Sequence, residues 1–332
     1  IAKQDALEPQ ERVPGKWKEC NTATISGFSA CGYYFAQTLT EILDVPVGII
    51  VSAWGGSSIE TWMNRETIER DFGKEFDLGH LDGTRTKYHE YHDPCLLFNG
   101  QVAPIVPYTF KGMIWYQGEQ NRPKPDQYVR LQTAYVAMMR ELFQVPDAPF
   151  YFVQIAPYHY SHPEQYHNGY FNEAQQKTLA TIPHSGMVTT LDIGDLQCIH
   201  PAQKREVGQR LAWLALRHDY GQTAIEPDAP TYKSVEFKDG HAFVTFKVDG
   251  LGLSPIGRIL GGFEMAGEDK VFHPAKAKQY KGHIIEVWSD EVTAPVAVRY
   301  CFRNGSEGTV FNNFGIPAAP FRTDDWSIKD CK

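Results

Sequence analysis

No C-x-x-C pair occurs among the six cysteines, Cys20, Cys31, Cys95, Cys198, Cys301 and Cys331, so a structural zinc site lacks its usual ligand spacing. The six are too sparse for a disulfide scaffold. Buried thiols are the plain reading, and one or two bridges are the alternative in an exported chain. Basic charge is short as well: 32 Lys and Arg face 40 Asp and Glu, a net charge of -8. The basic residues are scattered, without the patch or stripe that nucleic-acid binders carry. No apolar run reaches the roughly 20 residues that a membrane-spanning helix requires. Low-complexity tracts, internal repeats and a signal peptide are missing too. The first residue is Ile1 rather than Met, which reads as a processed or cut end. What remains is a chain of 332 residues, 42% hydrophobic and 13% aromatic. That suffices for one large domain or two smaller ones with ample core.

Two kinds of periodicity divide the chain. Helical spacing marks 33–43, 126–143, 172–182 and 201–218, the last with Pro201 at its first position. Between these lie β-branched or aromatic runs: "VPVGIIVSAW" (45–54), "FKGMIWY" (110–116), "PFYFVQIA" (149–156) and "GMVTTLDI" (186–193). Strands alternating with helices of this length predict a parallel sheet covered on both faces. After Tyr220 helical spacing disappears, and short alternating runs surround an Asp239-Gly240 hairpin signal. Two domains are therefore expected, 1–222 with the α/β pattern and 223–332 antiparallel and β-rich. Segment 72–95 has neither period and reads as a long surface loop.

Ligands of open α/β sheets bind beyond the carboxyl ends of the strands. Each predicted strand is followed by a polar loop: "GGSS", "QGEQN", "PYHYSH" and "GDLQCIHP". Gly55-Gly56 suits either a tight turn or main-chain donors facing an oxyanion. Asn121 carries an amide fit for the same task, and Gln117 and Glu119 are candidate substrate contacts, with an ordinary polar turn as the alternative. His200 opens a helix beside Pro201 and is the candidate general base. His159 and His162 are the other histidines of interest.

The blocks "VPVGIIVSAWGGSSIETWM", "FKGMIWYQGEQN", "APFYFVQIAPY" and "IHPAQKREVGQRLAWLAL" resemble the sialate O-acetylesterases, a branch of the Ser-Gly-Asn-His hydrolases. "FEMAGEDKVFHPAKA" and "FNNFGIPAAPFRTDDW" resemble the long, secreted or lysosomal form, and the similarity runs from about residue 17 to 328. The resemblance implies a flavodoxin-like three-layer α/β domain followed by β-rich segments. It implies removal of acetyl groups from sialic acids through a serine acyl-enzyme, with no cofactor and no metal, in a periplasmic, secreted or lysosomal protein. By motif, Gly56 and Asn121 become the oxyanion hole and His200 the base.

Two departures stand out. The family's nucleophile motif, Gly-Gln-Ser-Asn-Met at the end of the first strand, is absent. Ser57 and Ser58 fall in the glycine block, and Ser26 and Ser29 have no preceding strand. The nucleophile is therefore expected on an N-terminal segment or companion chain, with the first strand of 1–222 missing. Second, Gln197 stands where many of these hydrolases carry aspartate, three before the histidine. Asp195, Asp192 or a carbonyl near residue 197 is left to orient His200. An acetylesterase acting on xylan or another glycan is the alternative within the class. An inactive carbohydrate-binding relative and a metal hydrolase built on His92, Asp93, His159 and His162 are the rivals outside it.

Overall fold

The computed structural model describes residues 1–254 and 259–330; Cys331 lies outside them. The chain forms two compact units, Ile1–Phe152 with Lys177–Ser185 and Val153–Gln176 with Gly186–Lys332. The break expected at 222/223 falls inside the second unit.

The first unit begins with an irregular arm and α1 (Ala30–Leu43). Ser29 caps α1 by accepting from the Gly32 N–H, and Asp44 ends it in the left-handed region at φ 53°. Next comes "VPVGIIVSAW", which forms no strand. Its main chain runs on without helix or sheet, and among the described residues none of the N–H groups of 47–53 finds an acceptor. Apolar side chains there are also open to water: Val45 is 45% exposed and Ile50 36%. The residues have strand composition, but a strand exists only by ladder pairing, and among the described residues none forms a ladder with this one; the Ile1 amino group reaches it, donating to the Val51 carbonyl at 3.0 Å.

α2 (Arg65–Phe72) starts at Asn64, whose side chain accepts from Thr67 N–H. The residues after it, 73–95, hold neither helix nor strand, in keeping with the predicted loop. β1 (Met113–Trp115) leads through the polar loop to α3 (Pro125–Leu142). Pro125 at the first turn loses no helical hydrogen bond. Tyr128, Leu131, Gln132, Tyr135, Val136 and Met139 recur at three and four positions and are buried. β2 (Phe150–Val153) pairs with β1 in parallel, Met113 opposite Phe150. After α4 (His167–Thr181), β3 (Ser185–Val188) completes a three-stranded sheet in the order β1-β2-β3. The expected parallel α/β architecture is thus present, although its strands are shorter than the apolar runs that announced them.

α5 (Lys204–His218) begins three residues later than the sequence suggests, so Pro201 lies in the preceding loop and not at the helix start. The remaining strands are β4 (Thr231–Lys238), β5 (His241–Lys247), β6 (Leu260–Ala266), β7 (His273–Lys281), β8 (Ile284–Trp288), β9 (Ala297–Tyr300) and β10 (Phe321–Arg322). They pair antiparallel in the order β10-β9-β6-β7-β8-β5-β4. This is the β-rich region expected after the α/β part. The β4–β5 hairpin turns through Asp239 and Gly240, both with positive φ (53° and 78°), as a two-residue turn demands. Along β5, Ala242, Val244 and Phe246 point inward and join Met265, Ile285, Val287 and Tyr300 in one core. Arg299 is fully buried, paired with Asp324 at 2.7 Å, and lies over the rings of Phe272 and Tyr166 at 4.1 and 4.7 Å.

Candidate active site

In the first unit the candidate donors sit on two short turns. Gly56 lies in an exposed loop with φ +79°, a conformation that glycine adopts without strain. Its carbonyl accepts from His92 Nε2 at 3.0 Å. Withdrawal from water pushes the His92 imidazole below its ordinary pKa, outweighing that hydrogen bond. Ser57 and Ser58 are buried. Ser57 Oγ accepts from Trp62 Nε1 at 2.9 Å, and Ser58 Oγ donates to the His92 carbonyl at 2.9 Å. Neither hydroxyl is hydrogen-bonded to an imidazole, the arrangement that activates a serine nucleophile.

Asn121 closes the 3-10 turn Glu119–Asn121 and is buried. Its Oδ1 accepts from the Ile59 N–H (2.9 Å) and from Gln117 Nε2 (2.8 Å). Its Nδ2 donates to Glu60 Oε2 at 2.8 Å. Gln117 gives its second Nε2 hydrogen to the Ser57 carbonyl at 2.9 Å, while Tyr128 Oη donates to Gln117 Oε1 at 3.1 Å. Both hydrogens of its amide are thus taken by protein partners, and through one of them Gln117 braces Asn121. Glu119 is half-buried at the start of the same turn. Glu60 is held above the ordinary carboxylate range, first because its carboxyl is withdrawn from water, against the opposing hydrogen bond from Asn121.

In the second unit His200 is exposed in the loop between β3 and α5. Among the described residues no hydrogen bond reaches its ring; the contact at this residue is Cys198 Sγ to its carbonyl, at 3.4 Å. Asp195 uses Oδ1 to accept from the N–H groups of Gln197 (2.9 Å) and Cys198 (3.2 Å), closing a turn in the loop and making no bond to the imidazole. Asp192 is engaged by Arg210 at 2.6 Å. Gln197 Nε2 lies 3.1 Å from His159 Nδ1, and the His159 N–H donates to the Leu196 carbonyl at 3.1 Å. The loop borders a cavity of about 440 Å³ whose polar lining is His159, Asp195, Gln197, Gln203 and Glu307. No lysine or arginine lines it.

The four residues of the metal reading go elsewhere. His92 holds Gly56, Asp93 pairs with Arg85 at 3.0 Å, His159 meets Gln197, and His162 lies 3.5 Å from Glu164. Among the described residues no group of three His, Cys, Asp or Glu side chains could hold a metal ion. Nor is any described helix long and apolar enough to cross a membrane. Glu60 and Tyr128 went unnoticed in the sequence. The available signal for Glu60 was an acidic residue among the otherwise uncharged positions Ser57–Met63.

Comparison with known proteins adds a third line. A family model described as carbohydrate esterase, sialic acid-specific acetylesterase, matches residues 10–217. The sialate O-acetylesterase of Mus musculus is 24% identical over 295 residues, covering 75% of this chain and 54% of the relative. That of Homo sapiens is 25% identical over 262 residues, covering 71% and 49%. The chain thus spans about half the length of the curated relatives it matches. A crystal structure of a novel carbohydrate acetylesterase from Xanthomonas citri superposes with a TM-score of 0.85 at 36% identity, covering 98% of this chain and 72% of that one.

Proposed function

The chain belongs to the sialic acid-specific acetylesterase family of carbohydrate esterases, and from that premise we propose that it removes O-acetyl groups from sialic acids through a serine acyl-enzyme. In this mechanism the serine oxygen attacks the acetyl carbonyl carbon while His200 takes its proton. The carbonyl oxygen becomes negative and is met by donors from Gly56 and Asn121. Collapse breaks the ester bond, and His200 returns the proton to the departing sugar hydroxyl. Water then repeats the sequence and releases acetate.

The observation that carries this proposal is the fixed Asn121 amide. Its oxygen is held by two donors and its nitrogen by one acceptor, so its N–H groups keep one direction before any substrate arrives. Preorganised donors of this kind are the largest single contribution to many acyl transfers. Asp195 is committed to its loop turn, which favours a Ser-His dyad over a triad.

The serine is supplied by a segment or companion polypeptide that also adds a β-strand beside residues 47–53. Support comes from the buried, committed hydroxyls of Ser57 and Ser58 and from the main-chain N–H groups of 47–53, which find no acceptor among the described residues. Acetylated glycans of this kind fit an exported protein, periplasmic, secreted or lysosomal. The test is acetate release from 4-nitrophenyl acetate and from O-acetylated sialic acid by the intact preparation, with mass spectrometry of the acylated peptide. Hydrolysis with acylation on a serine outside this chain is the expected result. Acylation on Ser57, or no hydrolysis at all, overturns it.

A second substrate reading, an acetylated neutral glycan, has one observation in its favour. The cavity beside His200 carries Asp195 and Glu307 without a lysine or arginine, and a sialic acid carboxylate there would meet like charge. Comparing kcat/KM for acetylated xylan fragments with that for acetylated sialic acid separates the two.

A further inference from the structure

We propose that Glu60 is a positioning residue that sets the direction in which Asn121 presents its N–H groups. This rests on the reading of Asn121 as an oxyanion donor and extends it to the residue that controls it.

An asparagine amide is nearly symmetric in shape, so the neighbours decide which end faces a ligand. Here the assignment can be followed link by link. Gln117 faces the Ser57 carbonyl, which only its nitrogen can satisfy. The same nitrogen then points its other hydrogen at Asn121, at 2.8 Å, which demands the Asn121 oxygen. The Ile59 N–H makes the same demand from another side at 2.9 Å. Asn121 Nδ2 is left to face Glu60 Oε2, and a carboxylate accepts only from a donor. One Nδ2 hydrogen is taken by Glu60, and the second is available to an oxyanion.

Ile59 and Glu60 are adjacent in the 3-10 turn Ile59–Trp62, so one turn grips both ends of the amide. That turn is itself tied down. Ser58 N–H donates to the Tyr91 carbonyl at 3.1 Å, Trp62 Nε1 donates to Ser57 Oγ, and Cys95 N–H donates to the Glu60 carbonyl at 3.1 Å. Without the Glu60 carboxylate the amide plane keeps its oxygen contacts but loses the hold on its nitrogen. Rotation about the Cβ–Cγ bond, which moves both ends of the plane, is then opposed by two contacts instead of three.

Two readouts test this. Side-chain amide NMR on protein with labelled asparagine, the Asn121 pair identified by its loss in Asn121→Ala, reports the donor directly and needs no activity. Glu60→Ala should shift that pair and speed its exchange with water, and Glu60→Gln, which retains an acceptor oxygen, should leave it close to wild type. With 4-nitrophenyl acetate, Glu60→Ala and the shorter Glu60→Asp should lower kcat by about tenfold or more with KM within about twofold. Glu60→Gln should recover most of kcat. The Glu60→Ala/Asn121→Ala double variant should be no slower than Asn121→Ala alone. Unmoved Asn121 resonances in Glu60→Ala, or losses that multiply in the double variant, overturn the proposal. Wild type assembled with the serine-bearing segment yet without esterase activity sinks the functional reading instead, and the NMR result still decides the role of Glu60.

Discussion

Around Asn121 the polar groups are paired and mostly buried; around His200 the chain is open. Tyr128, Gln117, Asn121 and Glu60 form a run of hydrogen bonds between 2.8 and 3.1 Å in the first unit. His200, in the second, is exposed with a ring that no described residue holds. The difference fits the roles proposed for the two groups. An oxyanion donor acts by being in position beforehand, and its value lies in the reorganisation it avoids. A base must exchange protons with a nucleophile, a leaving group and water, so it tolerates an open setting until substrate closes it in.

The largest effect expected is on the open side. His200→Ala should reduce kcat by about 10²–10⁴-fold, the range for losing a general base, with an unchanged melting temperature because the side chain is exposed and its ring takes part in no hydrogen bond among the described residues. Asn121→Ala should follow at about 10²–10³-fold in kcat, and here stability should fall as well. Steady-state kinetics beside thermal melts would check both. If His200→Ala unfolded the protein while Asn121→Ala did not, the contrast between the two regions would be reversed.

Gln117 sharpens the contrast further. Gln117→Leu fills similar space but leaves the Ser57 carbonyl without its partner, while the Tyr128 hydroxyl keeps the main-chain carbonyl of residue 117 at 3.2 Å. About 1–3 kcal/mol of stability should be lost for the buried group left unsatisfied, measurable by urea denaturation. Turnover should fall with it, since Asn121 Oδ1 would retain only the Ile59 N–H.

Not all of this was legible in the sequence. The helices α3 and α5 were, because their apolar residues recur locally at three and four positions. Gly56, Asn121 and His200 were legible as motif residues on loops after apolar runs. Residues 45–54 misled because strand composition is local and pairing is not. Pro201 misled because a proline tolerated at a helix start is equally at home in the loop before it. The Glu60–Asn121 bond joins residues 61 apart, and no periodicity encodes such a meeting. Gln197 looked like a deficit beside His200, and its partner proved to be His159, 38 residues away.

Glu60 also makes the buried side sensitive to pH. Its folded pKa is raised above the ordinary 4.5, with burial as the leading cause, opposed by hydrogen bonds from Asn121 and Ser58 and by Lys124. The folded state therefore binds the proton more tightly than the unfolded state. The stability this contributes is full below the carboxylate range and is lost as pH rises through the folded pKa. Melting temperatures of wild type and Glu60→Gln measured across that window should diverge on acidification, wild type gaining relative to the variant. Parallel curves would mean that Glu60 titrates as it does in the unfolded chain.

The smallest effect is expected at Asp195. A triad carboxylate replaced by its amide costs orders of magnitude, because the amide presents the wrong hydrogen to the imidazole. Asp195 instead closes a turn with Oδ1, accepting from the Gln197 and Cys198 N–H groups, and an asparagine at 195 offers the same Oδ1. Asp195→Asn should thus keep kcat within about threefold of wild type, whereas Asp195→Ala, which removes the acceptor, should cost about 1 kcal/mol in loop stability. A loss of a hundredfold or more in Asp195→Asn would mean that the loop rearranges around substrate to bring this carboxylate onto His200. The open region would then become as ordered during turnover as the Asn121 network is at rest.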